Sequence, residues 1–181
     1  MRFVSVGSSS LARDWAGSID VAFIYEPMTL EGIEVEKLAT SPASIYCGQG
    51  HPLFDVEDPQ FDQLLEFPFS VPQIGDTGQV MDGWPADVPR KVGMRITLLT
   101  SNLEVCRSGQ FLTVLPDVTA RPFVKSGDLR RFPFDVVPAA ELFAARRNSD
   151  EDERRTRGVI YAVRRLARQI EDELHEFRRQ F

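Results

Sequence analysis

The hydrophobic pattern of Thr100–Pro116 predicts one helix followed by one strand. Ser101 and Glu104 have the spacing of a capping box, in which two side chains satisfy amide groups at a helix start. Gly109 falls where a residue of left-handed conformation closes a helix. The apolar run 111–115 is typical of a strand buried on both faces of a parallel sheet. This unit would place a helix N-terminus, with nearby hydroxyls, at the mouth of an α/β sheet, where an anionic group can bind.

The rest of the chain is divided by the same periodicities into short elements. Apolar or alternating runs predict strands at 2–6, 19–25, 67–71 and 92–96, and the segment 33–38 leads back towards the sheet. Helices are predicted at 11–16 and 117–124, and 61–65 is a short amphipathic segment. A long last helix has apolar residues that recur at three- and four-residue steps. The arginines and carboxylates of this last helix are typical of a solvated, ion-paired face.

Composition narrows the class of protein. The 181 residues suffice for one large domain or two small lobes with cores. A net charge of −6 argues against a general nucleic-acid binder, which would show a basic footprint. Cys47 and Cys106 lie in apolar settings and are predicted to be buried free thiols in a reducing cytosol. No apolar run approaches membrane-spanning length, so we expect a soluble cytoplasmic protein.

Motifs of catalysis and cofactor binding are missing from the sequence. There is no Walker loop, dinucleotide fingerprint, nucleophile elbow or HExxH motif. His51 and His175 are the two histidines, and a Ser-His-Asp arrangement is hard to assemble from them. We therefore expect no enzyme, no catalytic residue, no cofactor and no metal site.

Several segments, in this order, carry a resemblance to a known family. Trp15–Ile24 is similar to a Gly-x-Leu-Asp-hydrophobic strand, and Ile45–Phe54 to a strand followed by His-Pro-Leu. Thr100–Pro116 and the turn Gly127–Leu129 follow, and Glu141–Arg147 resembles a return strand before a last helix. Together they resemble the C-terminal effector-binding (substrate-binding) domain of LysR-type transcriptional regulators, over nearly the whole chain.

The resemblance implies an α/β fold of the periplasmic-binding-protein-like type II, with two lobes and mixed or parallel sheets. Lobe I would comprise 1–53, with 142–181 returning to it, and lobe II would comprise 54–141. The winged helix-turn-helix of the family is not in this sequence. The first strand and first helix of the effector domain are also not matched, so the first lobe is expected to be truncated at its N-terminal side and incomplete.

That truncation would leave the strand at 2–6 without its usual neighbour. A gene remnant, an excised piece, a start placed too late, a strand supplied by another copy and a rearranged small sheet remain open explanations.

The function implied is that of an effector-sensing domain that holds a small organic acid between its lobes. Hydroxyls and helix amides would bind the anion, and lobe closure would reach an attached or partner DNA-binding unit. The candidate ligand-binding residues are Ser8, Ser9 and Tyr25 from the first lobe, and Gln73, Gly75, Thr77, Thr100 and Ser101 from the second.

Each candidate has a competing structural interpretation. The hydroxyls of Ser8, Ser9, Thr100 and Ser101 can be consumed in capping their own helices. Thr77 either caps a helix that runs towards Trp84 or lies in an ordinary surface loop. Tyr25 can be a partly buried aromatic residue with its hydroxyl in water.

The alternative function is a dimerisation or interaction fragment that binds no effector. Such a chain would form a homodimer or pair with another regulator chain, through a sheet edge or the last helix. We expect neither direct DNA binding by this chain nor contact with a membrane. An enzyme on the same fold ranks last, because no carboxylate pair is singled out.

Overall fold

The computed structural model describes residues 3–5, 20–25, 31–74, 78–147 and 153–181. These residues form two compact units. The first comprises the chain up to Ser41 together with Ala140–His175, and the second comprises Pro42–Ala139 together with Glu176–Phe181.

Ten strands and four helices are interspersed along the described chain. The strands are β1 Phe3–Ser5, β2 Val21–Ile24, β3 Ile33–Ser41, β4 Ala43–Gly48, β5 Pro68–Ile74, β6 Gln79–Val80, β7 Lys91–Ile96, β8 Leu112–Pro116, β9 Leu129–Phe132 and β10 Ala140–Arg147. The helices are α1 Phe61–Leu65, α2 Leu99–Arg107, α3 Asp117–Lys125 and α4 Glu153–Gln180. The strands predicted from hydrophobic pattern at 2–6, 19–25, 67–71, 92–96 and 111–115 and the helix predicted at 117–124 are confirmed. The amphipathic segment 61–65 forms α1, and the predicted helix at 11–16 lies outside the described residues.

The first unit is built on a mixed sheet with the strand order β1–β2–β10–β3. β1 runs parallel to β2, with Phe3 opposite Val21, whereas β10 is antiparallel to both of its neighbours. Of the explanations left open for the strand at 2–6, this pairing matches the rearranged sheet. In place of the usual neighbour that was expected to be missing, β2 pairs with this strand.

Helix α4 packs on one face of this sheet. Ile160 contributes to a buried cluster with Val21, Leu38 and Ala144, and Val163 packs against it. The helix also makes a polar contact with the sheet, an ion pair between Arg164 and Glu36 of β3. The ion-paired face predicted for the last helix is therefore partly directed at the sheet.

The second unit contains a sheet with the order β6–β5–β8–β4–β9, and β7 pairs with β5 outside this path. β7, β5 and β8 are parallel, whereas β4 is antiparallel to both β8 and β9. The main core of this unit includes Ile45, Phe69, Leu112 and Phe132, all fully buried. The mixed parallel and antiparallel sheets confirm the predicted fold class.

The division of the chain differs from the predicted lobes at two places. β4 lies between β8 and β9, so the second unit begins at Pro42, whereas the sequence placed 1–53 in lobe I. The final residues 176–181 group with the second unit, where Phe177 is buried and Arg178 pairs with Asp117. A strand that follows a crossing carries no local mark of the sheet it joins, because its pairing partners are distant in sequence.

Candidate ligand-binding site

Three parallel strands of the second unit end at one sheet edge. β7, β5 and β8 lie side by side, and the carboxyl ends of parallel strands lie together at the edge where α/β proteins bind ligands. α2 follows β7 and α3 follows β8 at this edge. Gln73 lies one residue before the end of β5, and Thr100 and Ser101 lie in the first turn of α2. The fold thus brings these three candidate residues to the same edge.

The start of α2 differs from the capping box predicted for it. The helix begins at Leu99, its N-cap is the extended Leu98, and no side chain caps it. Ser101 is therefore the third helical residue and not the N-cap. Glu104 forms an ion pair with Arg107 at 3.0 Å instead. The capping prediction is wrong because the helix starts earlier than the Ser101–Glu104 spacing indicates.

This earlier start leaves polar groups available at the helix N-terminus. Thr100 and Ser101 are both exposed, so their hydroxyls face solvent. The amide of Asn102 donates to the carbonyl of Leu98 at 3.0 Å and is the first intrahelical bond of that kind. The amides of residues 99–101 precede it and have no intrahelical acceptor. No acidic residue lies in this turn, so the positive end of the helix dipole is not neutralised by its own chain.

Asn102 is a polar residue of this site that the sequence analysis missed. Its side chain is fully buried, and its Oδ1 accepts a hydrogen bond from Ser70 Oγ at 2.7 Å. Ser70 Oγ lies 2.6 Å from Thr113 Oγ1, and the two residues are register partners on β5 and β8. Among the described residues, Asn102 Nδ2 has no hydrogen-bond partner. A buried, unpartnered amide is costly, so this donor needs an acceptor that the described chain does not supply.

A signal for this network is present in the sequence. Ser70 and Thr113 each interrupt an otherwise apolar strand, and Asn102 lies on the apolar face of α2 beside Leu103 and Cys106. Such polar interruptions indicate a buried hydrogen-bond network when their strands pair. The pairing itself links residues 32 and 43 positions apart, which a local pattern does not reveal.

The N-terminus of α3, at the same edge, is occupied by its own carboxylate. Asp117 is fully buried in the first turn of α3 and accepts a hydrogen bond from Tyr46 Oη at 2.7 Å. Arg178 Nε lies 3.4 Å from the other oxygen of this carboxylate. Burial and, to a smaller extent, the charge of Asp117 raise the pKa of Tyr46, so the phenol stays protonated as the donor.

The remaining candidate residues are placed as follows. Tyr25 directly follows β2 in the first unit, and its side chain is 61 % exposed. Ser8, Ser9, Gly75 and Thr77 lie outside the described residues.

The predicted helix that runs from Thr77 towards Trp84 does not form in the described residues. β6 pairs with β5 in a hairpin, and Met81 N donates to Pro72 O at 3.1 Å. A buried ion pair between Asp82 and Arg90, 2.7 Å apart, then fixes the loop that leads to β7. The hairpin fixes the backbone of this segment, and the ion pair fixes two of its side chains. The local sequence favoured neither a helix nor a loop here.

The two cysteines and His51 are buried. Burial raises the pKa of Cys47 and of Cys106 to about 12, so neither thiol ionises near neutral pH. Burial lowers the pKa of His51, whose Nδ1 accepts from the amide of Leu53 at 3.1 Å. No group of histidine, cysteine and carboxylate side chains among the described residues is arranged to hold a metal ion. None of the described helices has the length and apolar character of a membrane span.

Comparison with known proteins gives one family and a common fold. The sequence profile of the family described as LysR substrate binding domain matches residues 4–168. No curated protein matches the chain in a sequence comparison.

Three solved structures illustrate the similarity. A candidate transcriptional regulator from Vibrio parahaemolyticus is 18% identical, with a TM-score of 0.72 over 95% of this chain and 81% of that chain. The regulatory domain of MetR, a LysR family regulator from N. meningitidis, is 18% identical, with a TM-score of 0.63 over 90% and 78%. Full-length LysG from Corynebacterium glutamicum with bound effector Arg is 19% identical, with a TM-score of 0.62 over 86% and 53%. At these identities the similarity is one of fold.

The chain is shorter than some of the proteins it matches. It spans about half of LysG (53%) and 52% of a Pseudomonas aeruginosa protein of similar fold. This chain therefore corresponds to about half of each of those two proteins.

Proposed function

The chain belongs to the LysR substrate-binding domain family, and we propose that it senses a small organic anion whose carboxylate binds at the first turn of α2. The family is one of transcriptional-regulator domains and not of enzymes. The proposed role is regulatory. Binding of the effector changes the arrangement of a DNA-binding unit that is attached or belongs to a partner chain, and the chain itself contacts no DNA. A role in transcription would place it in the cytoplasm.

The observation that carries the proposal is the open N-terminus of α2. Its amides lack a side-chain cap, its first turn lacks an acidic residue, and the buried Asn102 Nδ2 lacks a partner among the described residues. Backbone amides at a helix N-terminus, together with the helix dipole, favour an anion. The exposed hydroxyls of Thr100 and Ser101 would add two further donors, as expected from the sequence.

The effector bound by LysG supports this chemical class. That regulator is described with Arg as its bound effector, and an amino acid carries a carboxylate. Tyr25, Gln73, Gly75 and Thr77, and Ser8 with Ser9, remain proposed contacts for the rest of the ligand. The identity of this ligand is set by these contacts and not by the helix N-terminus, which any carboxylate can occupy.

Thermal melting of the purified chain against a panel of small carboxylates and aromatic acids tests the proposal. A ligand at a hundredfold excess over its Kd should stabilise the fold by about 2.7 kcal/mol, which is readily seen as a raised Tm. The matched variants are Ser101→Ala and Ser108→Ala, since the same hydroxyl is removed from opposite ends of α2. Ser108 donates to Val105 O at 2.7 Å and lies away from the helix start.

The outcomes are distinct. We expect one acid to raise Tm, its affinity to fall about fivefold in Ser101→Ala, and its affinity to be unchanged in Ser108→Ala. Equal affinity in wild type and Ser101→Ala would remove α2 from the binding site. A cooperative melt that no acid shifts would favour the second candidate function.

That second candidate is association with another copy of the chain, and the exposed edge of β7 favours it. Among the described strands β7 pairs only with β5, and Val92 and Met94 on it are exposed. Leu98, just beyond the strand, is 63 % exposed. An edge strand with exposed apolar side chains is a surface that proteins cover by pairing.

Light scattering of wild type and of the double variant Val92→Lys, Met94→Lys tests this association. A dimer in wild type and a monomer in the variant would support it. Lys125→Met, which alters an exposed residue of α3, serves as the control and should leave the mass unchanged. A monomer in wild type at high concentration would exclude self-association through this edge.

A further inference from the structure

A cavity of about 480 Å³ lies beside β9 in the second unit, away from the start of α2. Its apolar lining includes Phe54, Phe134 and Phe181, with Val124 and Leu129. None of the candidate effector contacts described above lines it. Its volume falls in the range of small-molecule sites, and both apolar and charged side chains contribute to its lining.

Arg131 is the unusual residue of this cavity. Its side chain lines the cavity although the residue is only 6 % exposed. Its Nε donates to Ser44 Oγ at 2.9 Å, and no carboxylate of the described residues forms an ion pair with it. No hydrogen bond or ion pair of the described residues engages its terminal nitrogens, and these atoms keep access to solvent. It therefore has donors to offer to an anion that enters the cavity.

The neighbouring Arg130, in contrast, has acceptors for the hydrogen bonds of its guanidinium. Its Nη1 donates to the carbonyls of Leu53 and Phe54 at 3.0 and 2.6 Å, and its guanidinium lies 5.4 Å from the centre of the Phe132 ring. Arg130 thus holds the turn that forms one wall of the cavity. The unmet hydrogen-bonding capacity belongs to Arg131.

Two carboxylates also line the cavity, and both are exposed. Glu57 and Asp58 lie in the loop before α1, where water screens their charges. The buried charge of Arg131 acts through a medium of lower dielectric constant and therefore interacts more strongly with a bound group. The balance favours an anion over a cation.

We propose that this cavity is a second ligand site, which binds a small monocarboxylate with an apolar or aromatic body. The carboxylate accepts hydrogen bonds from the terminal nitrogens of Arg131, a geometry in which guanidinium and carboxylate match. The apolar body packs against the phenylalanines and against Val124 and Leu129. The site is separate from the anion site at α2, so one chain would bind two small molecules.

The test uses three probes of equal size and different charge: phenylacetate, phenylacetamide and phenethylamine. Titration of the isotope-labelled chain, followed by amide NMR shifts, locates each probe. We expect saturable binding of phenylacetate with shifts concentrated at Val124, Leu129 and Phe134, and at least tenfold weaker binding of the amide and of the amine. Equal binding of acid and amide, or preference for the amine, would overturn the proposal.

Variants separate this cavity from the α2 site. Arg131→Met should weaken phenylacetate at least tenfold, whereas Lys125→Met, which removes a like charge from the adjacent α3, should leave it unchanged. Ser101→Asp, which places a carboxylate in the first turn of α2, should leave the phenylacetate-induced shifts at Val124 and Leu129 unchanged. Loss of binding in Ser101→Asp, or its retention in Arg131→Met, would assign the probe to another site.

Folding of the variant is measured alongside. Because no carboxylate of the described residues pairs with Arg131, Arg131→Met should melt no lower than wild type in the absence of ligand. If it does not fold, Arg131→Lys supplies the same test, because a single ammonium cannot offer the two-pronged donor. Undiminished phenylacetate affinity in Arg131→Lys would then overturn the proposal.

Discussion

Helices α2 and α3 have the same length and leave the same sheet edge, yet their N-termini are used in opposite ways. Each has nine residues and follows a strand of the parallel set, and neither has a side-chain cap. α3 buries its own Asp117 at the positive end, held by Tyr46 and Arg178. α2 has no acidic residue in its first turn and leaves the buried amide of Asn102 unpartnered among the described residues. One helix start is closed by an internal anion, and the other is open to an external one.

The C-terminal ends of the two helices give the largest expected difference. Gly109 and Gly127 follow α2 and α3 with φ values of +73° and +83°, a region that favours glycine. A Cβ on Gly109 would lie 2.2 Å from Gln49 O, whereas one on Gly127 would meet nothing within 4 Å. We expect Gly109→Ala to cost about 4 kcal/mol of unfolding free energy, from strain and overlap together, and Gly127→Ala about 1 kcal/mol. Urea denaturation measures both, and equal losses would contradict the close packing at Gly109.

The closed helix start should be more costly to disturb than an exposed carboxylate. Asp117→Ala leaves the Tyr46 hydroxyl buried without an acceptor and removes a partner of Arg178. We expect a loss of about 3 kcal/mol of unfolding free energy, in the range for breaking a buried polar network. Asp128→Asn, at a carboxylate that pairs with Arg107 at 3.5 Å near the surface, is the control and should cost under about 1 kcal/mol. A loss at Asp117 as small as that at Asp128 would mean that its burial is of little consequence.

The open helix start can be converted into a closed one by a single substitution. Ser101→Asp places a carboxylate at the exposed first turn of α2, where the helix dipole stabilises it by about 0.5 kcal/mol. The same charge should weaken binding of the proposed effector at least tenfold, which is about 1.4 kcal/mol, because two anions then compete for one site. Calorimetric titration and urea denaturation give the two quantities. A variant that gains stability and keeps its affinity would show that the anion binds elsewhere.

Lowering the pH should reduce the unfolding free energy without changing the affinity for an anion. Burial lowers the pKa of His51 in the fold, so below about pH 6.5 the unfolded chain binds a proton that the folded chain does not. The unfolding free energy should therefore fall as pH decreases below 6.5, by at most about 1.4 kcal/mol per pH unit. No histidine lies in the first turn of α2, so the affinity for a carboxylate should stay flat between pH 5.5 and 8.

The matched variant for this prediction is His51→Asn. Its side-chain oxygen can replace Nδ1 as acceptor for the Leu53 amide, while the titrating group is removed. Urea denaturation at pH 7.5 and 5.5 should give a smaller difference in this variant than in wild type. The same pH dependence in both proteins would assign it to other groups.

The sequence predicts the closed helix start better than the open one, for a physical reason. The apolar run before Pro116 and the helix after it are local patterns, and both appear in the structure. The start of α2 is missed because its capping-box spacing is a local signal, whereas the side chain beneath that turn, Asn102, bonds to Ser70 on another strand. Hydrogen bonds across a sheet depend on register, which residue types alone do not specify.

The site candidates divide in the same way. Hydroxyls at a predicted helix start can be identified from spacing, and Thr100 and Ser101 do lie there. Arg131 carries no such mark: the segment Leu129–Phe132 alternates, and either of its arginines could face solvent. Only the contacts show that Arg130 is satisfied by two carbonyls while Arg131 is not.

The strand order of the first unit has a consequence for how the chain folds as it is synthesised. β2 and β3 are successive strands, yet β10 lies between them, and β10 ends at Arg147, about 100 residues after Ser41. At roughly 5–20 residues per second, the ribosome delivers that strand about 5–20 s after β3. All described strands of the second unit have been synthesised by Phe132. Its sheet can therefore form before β10, the partner of β2 and β3, has been made. β2 and β3 are thus made well before the strand that joins them, which exposes them to chaperones during that interval.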